Sequence, residues 1–341
     1  MELYVLRHDE YLRLYNCSYM SGKEWFDHGI PDPFFGILTF AIGVVLNVAY
    51  VPCLITMFNS RVLMKWSAYK LMFYIGINDI VLLDMNSYFT GYYSIIGAVG
   101  CPGVDIKYIF GTLGMVAWTS QSVSILMLAL NRCIDLWQPR YLSKVFDGKR
   151  TYYWIGASVI YSLYFLLFVP GVIFSLHGYA WFFDPYLDIE EMKFVDKSKY
   201  DSSPLVHHNI AISTLLPLVH IFLICSIWRR GYQGSPSVRR AQTVMTIQTL
   251  MICAVTSFCA FVYFYMQLVP VSVLLSKSAT LTLQLSNGAP PVVYLLVNRT
   301  IREGVLAMLP FKVSFSTNAH PMPSYTTRTG AVLPTFHISK H

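Results

Sequence analysis

The chain has 341 residues, of which 55% are hydrophobic, 16% aromatic and only 13% charged. Soluble domains carry about 25% charged residues, so this composition, with a mean hydropathy of +0.49, excludes an ordinary soluble protein. The formal net charge of +7 would suggest nucleic acid in a soluble chain; here its placement in loops explains it, and no nucleic-acid partner is expected.

Residues 1–32 mix Asp9, Glu10, Arg13, Lys23, Glu24, Asp27 and Asp32 without an apolar core. They read as an N-terminal segment and not as a cleavable signal peptide. Seven apolar runs follow, near 33–58, 68–96, 108–130, 152–174, 205–228, 241–268 and 278–297. Each is long enough for a helix through a hydrocarbon core of about 30 Å. The expected fold is an all-α membrane protein, a seven-transmembrane helix bundle over residues 33–303. A polar tail, 304–341, follows and reads as disordered; it carries Ser314, Ser316, Thr317, Ser324, Thr326, Thr327 and Thr329.

Orientation follows from the loops. Lys and Arg number 8 on the side of the N-terminus and 17 on the other. This bias predicts an outside N-terminus and a cytoplasmic C-terminus. Of seven cysteines, only Cys17 and Cys101 then fall in the oxidising space, and they are expected to be bonded. Asn16-Cys17-Ser18 is also a glycosylation sequon, although a disulfide at its middle residue hinders modification of Asn16.

The third run is the most informative. Its 23 residues from Tyr108 to Leu130 contain no Asp, Glu, Lys or Arg, and then Asn131-Arg132-Cys133 arrives. A guanidinium at that depth either snorkels to the interface or finds a polar partner, so Arg132 reads as an anchor or as a switch. Asp79 and Asp84 are the acids within the predicted second helix. Asp79 is expected to meet Asn47 and Asn287 in a polar core suited to water or sodium; the bland alternative is a neutral, hydrogen-bonded packing residue. Pro52, Pro170, Pro217 and Pro290-Pro291 mark kinks. The last pair would place Tyr294 near the cytoplasmic mouth, either within reach of Arg132 or as an interface tyrosine.

No enzyme is expected: there is no Gly-rich phosphate loop, HExxH or Gly-x-Ser-x-Gly. His207 and His208 are adjacent and point to different helix faces, so no metal and no cofactor are expected. A seven-helix transporter or channel is the alternative function, but paired intramembrane charges and repeated broken helices are missing.

Seven helices ending the third in Asn131-Arg132-Cys133 resemble a G-protein-coupled receptor, with this triplet in place of Asp-Arg-Tyr. The chain is more specifically similar to the nematode serpentine receptors of class T, a chemoreceptor family. The residues that carry the likeness include Tyr15-Asn16-Cys17-Ser18, Glu24-Trp25, Tyr50-Val51-Pro52, Tyr69-Lys70-Leu71-Met72, Cys101-Pro102, Leu128-Ala129-Leu130-Asn131-Arg132 and Trp181-Phe182-Phe183-Asp184-Pro185. The resemblance implies a sensory receptor in the plasma membrane, in ciliated neurons, with a small-molecule ligand and a heterotrimeric G protein as partners. Membrane lipid surrounds it, and arrestin would engage the Ser/Thr-rich tail. Asn131, Arg132 and Tyr294 would form the G-protein switch. The acid usual before the arginine is absent, which leaves the restraint on Arg132 without an assigned partner. Gln284 stands where an opsin carries its retinal lysine, and Gly114 where amine receptors carry an aspartate. The expected pocket is therefore apolar or weakly polar, built from Tyr92, Gly114, Trp118, Phe264, Gln267 and Gln284.

Overall fold

The computed structural model describes residues 1–101, 103–137, 141–187, 189–200, 202–230, 236–266 and 272–308. Three short helices come first, α1 (Glu2–Val5), α2 (His8–Leu14) and α3 (Gly22–Asp27). α3 starts on a reciprocal cap: Glu24 N donates to Ser21 Oγ at 3.3 Å and Ser21 N to Glu24 Oε2 at 2.6 Å. A Ser-x-x-Glu sequence encodes that arrangement. α4 (Pro33–Asn59) begins where Asp32 Oδ1 accepts from Phe35 N at 3.0 Å. Pro33 lies in the first turn, where the missing N–H costs nothing.

The second apolar run is one rod in three pieces: α5 (Ser67–Asp84), a π turn over Met85–Phe89, and α6 (Thr90–Ile96). Thr90 Oγ1 spans the wide turn to Met85 O at 3.2 Å. α6 stops at Gly97, whose φ of +72° suits glycine. α7 (Val104–Trp137) and α8 (Arg150–Phe168) follow. The bundle is helical as expected, with one local departure: Pro170 follows the end of α8, and Ile173 and Phe174, expected to continue that helix, pair instead in a short antiparallel hairpin, β1 (Ile173–Ser175) with β2 (Ala180–Phe182). Then come α9 (Ser203–Arg230), α10 (Pro236–Met266), α11 (Val273–Val297) and α12 (Arg299–Met308). α12 continues through residue 303, and residues 309–341 lie outside the described residues.

Among the described residues, α4, α7, α8, α9 and most of α10 are long and apolar enough to cross a membrane. The rod α5–α6 and α11 complete the seven; they carry the polar residues Asp79, Asp84, Gln284 and Asn287. Pro52, Pro217 and Pro290-Pro291 lie inside α4, α9 and α11. α7 is the central post. It touches α5, α8, α9, α10 and β1, and 61% of its apolar window is buried, against 22–39% in the other four.

The end of the bundle that carries the N-terminus, called the upper end here, is roofed twice. The hairpin lies on α7 and is tied to the α6–α7 connection by Leu176 N donating to Ala98 O at 3.1 Å. Above it α1–α3 pack an aromatic layer of Tyr11, Tyr15, Trp25, Tyr108, Tyr186 and Tyr200. Tyr186 Oη donates to Asn16 O at 2.8 Å, and Tyr200 Oη to Leu14 O at 2.5 Å. The disulfide Cys17–Cys101 pins this roof to the start of α7.

Candidate functional site

One helix, α7, carries two candidate sites at opposite ends. Near the upper end it walls a cavity of about 580 Å³ together with α5, α9, α10, α11 and the hairpin. α7 supplies Gly111, Gly114, Met115 and Trp118; the π-turn region supplies Leu82, Met85 and Asn86. Asn209, Tyr263 and Leu283 come from the other helices, and Trp181 and Phe182 from the hairpin. Among the described residues, none that lines this wall is charged. Gly111 is glycine because the chain approaches closely: an added Cβ would lie 1.7 Å from Val172 O at the foot of the hairpin.

Gly114 and Trp118, expected in the pocket from the sequence, line this cavity. Three other expected residues do not. Tyr92 is 56% exposed on the outside of α6. Phe264 is half-buried beside the wall residue Tyr263, because one step along a helix turns a side chain by about 100°. Gln284 is fully buried elsewhere, its Nε2 donating to Thr39 O at 2.6 Å and Ser87 Oγ at 2.7 Å. Gln267 lies outside the described residues. Asn86 and Asn209 were missed, since polar residues within apolar runs show no periodicity that distinguishes cavity from packing.

Below the cavity lies the polar core. Asp79 is fully buried and accepts from Tyr50 Oη and Gln121 Nε2. Gln121 Nε2 also donates to Asn287 Oδ1 at 3.0 Å, so Asp79 and Asn287 share one donor. Asn47 does not join them. Its Nδ2 donates to Asp84 Oδ1 at 3.0 Å and Tyr88 Oη at 3.2 Å, which corrects the expected Asn47–Asp79 contact. The reason is the five-residue offset between the two acids, which faces them to different parts of α4. Tyr294 is fully buried against Tyr50, ring centroids 6.5 Å apart, and belongs to this core and not to the Arg132 contacts.

Arg132 sits at the lower end of α7, 3% exposed. Its Nη2 donates to Asp135 Oδ2 at 2.5 Å and to Asn131 Oδ1, and its Nη1 meets the Met245 thioether of α10 at 3.6 Å. Asn131 Nδ2 donates to Ser67 Oγ of α5 at 3.0 Å. The carboxylate missing before the arginine is therefore supplied one turn after it. The signal was present as an Arg-x-x-Asp spacing, which places both on one helix face. It was hidden because the apolar run ends at Leu130, whereas the helix continues to Trp137.

A second ion pair ties the upper ends of α4 and α11. Lys277 Nζ lies 2.5 Å from Asp32 Oδ2 and 4.0 Å from the Tyr179 ring centroid. Partial burial would raise the Asp32 carboxyl, but the Lys277 ammonium and the Phe35 N–H outweigh it and hold the group below its ordinary value. Tyr179, at the hairpin turn, has φ +47° and offers its carbonyl to Thr280 Oγ1 at 2.9 Å. Asn16 is half-buried, its Oδ1 accepting from Ser18 N at 2.9 Å. His208 is buried between Ser122 Oγ and Tyr161 Oη, each at 2.9 Å, while His207 bonds within its own helix turn.

The solved structure of squid rhodopsin shares this fold, with a TM-score of 0.63 over 86% of this chain and 91% of that chain, at 14% identity. The Caenorhabditis elegans protein serpentine receptor class T-55 is 27% identical over 300 residues, covering 86% of this chain and 80% of the relative. The model of the family described as serpentine type 7TM GPCR chemoreceptor Srt matches residues 2–318. Family and apolar helices together make this a multi-pass membrane protein with the seven-helix receptor fold. The chain belongs to the Srt chemoreceptor family of serpentine G-protein-coupled receptors.

Proposed function

We propose that the protein is a chemosensory receptor that binds a small, apolar or weakly polar molecule in the upper cavity and activates a heterotrimeric G protein at the lower end. The observation that carries this reading is that one helix holds both sites. Trp118 walls an uncharged cavity and Arg132 lies 14 residues further along the same α7, about 21 Å at 1.5 Å per residue. A shift of α7 or α10 prompted by a ligand would be felt at the Arg132–Met245 contact.

The upper end faces outside and the lower end the cytoplasm. The excess of Lys and Arg in the lower loops supports this, and so does a disulfide at the upper end, since disulfides persist in oxidising compartments. The bundle at 33–303 resides in the plasma membrane, in the sensory cilium, with 1–32 as its outer cover. The tail, 304–341, offers its serines and threonines to kinases and arrestin. Asp79, Gln121 and Asn287 act in the core that couples the two ends, with Tyr50 and Tyr294.

The test is a G-protein or cyclic-nucleotide reporter in cells expressing the chain, screened with volatile and water-soluble odorants. The account predicts a response that disappears in Arg132→Ala at equal surface level. An uptake or ionic current independent of G protein would replace it with the transporter or channel reading.

A further inference from the structure

The cavity's few polar groups are assigned by their own partners. Asn209 and Asn86 are 3% and 4% exposed, and both line it. Trp118 Nε1 lies 3.0 Å from one carboxamide atom of Asn209. An indole N–H only donates, so that atom is the carbonyl oxygen, and the amide nitrogen is left as a donor. Asn86 makes the opposite choice. One carboxamide atom lies 2.9 Å from Leu82 O, which only accepts, so it is the nitrogen, and the oxygen is left as an acceptor. The Trp181 indole N–H is engaged by Thr90 Oγ1 at 2.9 Å, and the wall's one hydroxyl among the described residues, on Tyr263, both donates and accepts and so sets no polarity of its own.

We infer that Asn86 and Asn209 select a neutral, oxygen-bearing ligand with an apolar body, Asn209 as donor and Asn86 as acceptor. This rests on the cavity being the ligand site. An ammonium, carboxylate or phosphate would enter a wall whose described residues offer no counter-ion, at a desolvation cost that such a site does not offset. A pure hydrocarbon would leave two buried carboxamide groups unmet. An alcohol serves both residues, and a ketone serves Asn209 alone. The rest of the wall includes Met85, Met115 and Met266, flexible thioethers that adapt to varied apolar shapes. Discrimination therefore rests on the polar pair more than on outline.

The test uses the full chain in lipid nanodiscs and three probes of one length: decanol, methyl octyl ketone and decane. Binding is read from the fluorescence of Trp118 and Trp181, which face the cavity. The wild type is expected to bind decanol most tightly, then the ketone, then decane, with about tenfold for each hydrogen bond. Asn209→Leu should lower affinity for ketone and alcohol about tenfold, whereas decane, which leaves that carboxamide unmet, should bind no more weakly than to the wild type. Asn86→Leu should bring decanol and the ketone to the same affinity, with the ketone bound no more weakly than by the wild type. Decane affinity reports folding in both variants, and the wild-type order alone tests the pair independently of them. Equal affinity for all three probes would overturn the selection and leave the cavity as a ligand site. Failure of all three to bind the wild type would overturn the cavity reading as well.

Discussion

The Arg132 guanidinium is held by Asp135, one turn further along the same helix, with Nη2 to Oδ2 at 2.5 Å. The two ends of this pair differ in exposure: the arginine side chain is 2% exposed and the aspartate 37%. An acid so placed restrains the arginine without being sealed in with it, so that an arriving partner can compete for either group. The second restraint, the Met245 thioether, belongs to α10. Movement of α10 away from α7 breaks it without touching the ion pair. Asn131 accepts from the same Arg132 Nη2 and, through its own Nδ2, fixes the helix to Ser67 of α5.

The disulfide Cys17–Cys101 closes a separation of 84 residues. In the chain-entropy account a loop of that length is worth about 4–5 kcal/mol, and native bridges typically contribute 2–5. Cys17→Ser should therefore lower the thermal midpoint, and a reductant should do the same to the wild type but not to the variant. Protease cleavage within residues 1–32 should rise in parallel. A variant as stable and as protected as the wild type would show that the aromatic layer alone holds the roof.

Asp32 and Lys277 predict a pH dependence with a definite sign. The folded carboxyl titrates below its unfolded value of about 3.9. Its contribution is thus complete above that value and is lost as pH falls through the folded one. The pair is partly exposed, 20% and 27% by side chain, so about 1 kcal/mol is expected. Asp32→Asn should be less stable than the wild type at neutral pH, and the gap should close in acid below about pH 4. A gap that stays constant with pH would show that the ionised carboxylate of Asp32 contributes nothing through Lys277 or the helix cap.

Gln248 of α10 is fully buried, and among the described residues neither its Nε2 nor its Oε1 has a hydrogen-bond partner. An unmet buried polar atom costs about 1–3 kcal/mol. Gln248→Leu, close in size, should raise the thermal midpoint of the ligand-free receptor. A lower midpoint would mean that an internal water already satisfies the carboxamide.

How much the sequence discloses depends on which physical rule governs each residue. The seven runs and the bond between Cys17 and Cys101 follow from bilayer thickness and loop charge, which act on the chain one segment at a time. The hairpin at 173–182 escaped because Ile173, Phe174, Trp181 and Phe182 are as apolar as a helix end, and Pro170 alone marks the change. Asp135 escaped because the apolar run ends at Leu130, seven residues before the helix does. The pairing of Asn47 with Asp84, and of Asp79 with Tyr50 and Gln121, depends on how α4, α5 and α7 are rotated about their axes. Uncharged runs facing both lipid and protein do not encode that rotation strongly. The wall residues Asn86 and Asn209 were hidden for the same reason, whereas Gly114 and Trp118 were found by counting back from Arg132 and from the position of aromatics.

The most direct test of the account is basal nucleotide exchange on a purified heterotrimeric G protein, measured with the wild type, Asp135→Asn, and Asp135→Asn combined with Arg132→Ala. Asp135→Asn should raise exchange above the wild type without any ligand, and the added Arg132→Ala should abolish the gain at equal receptor amount. Exchange that is unchanged by Asp135→Asn, or that survives loss of Arg132, would contradict a receptor switch restrained by this pair.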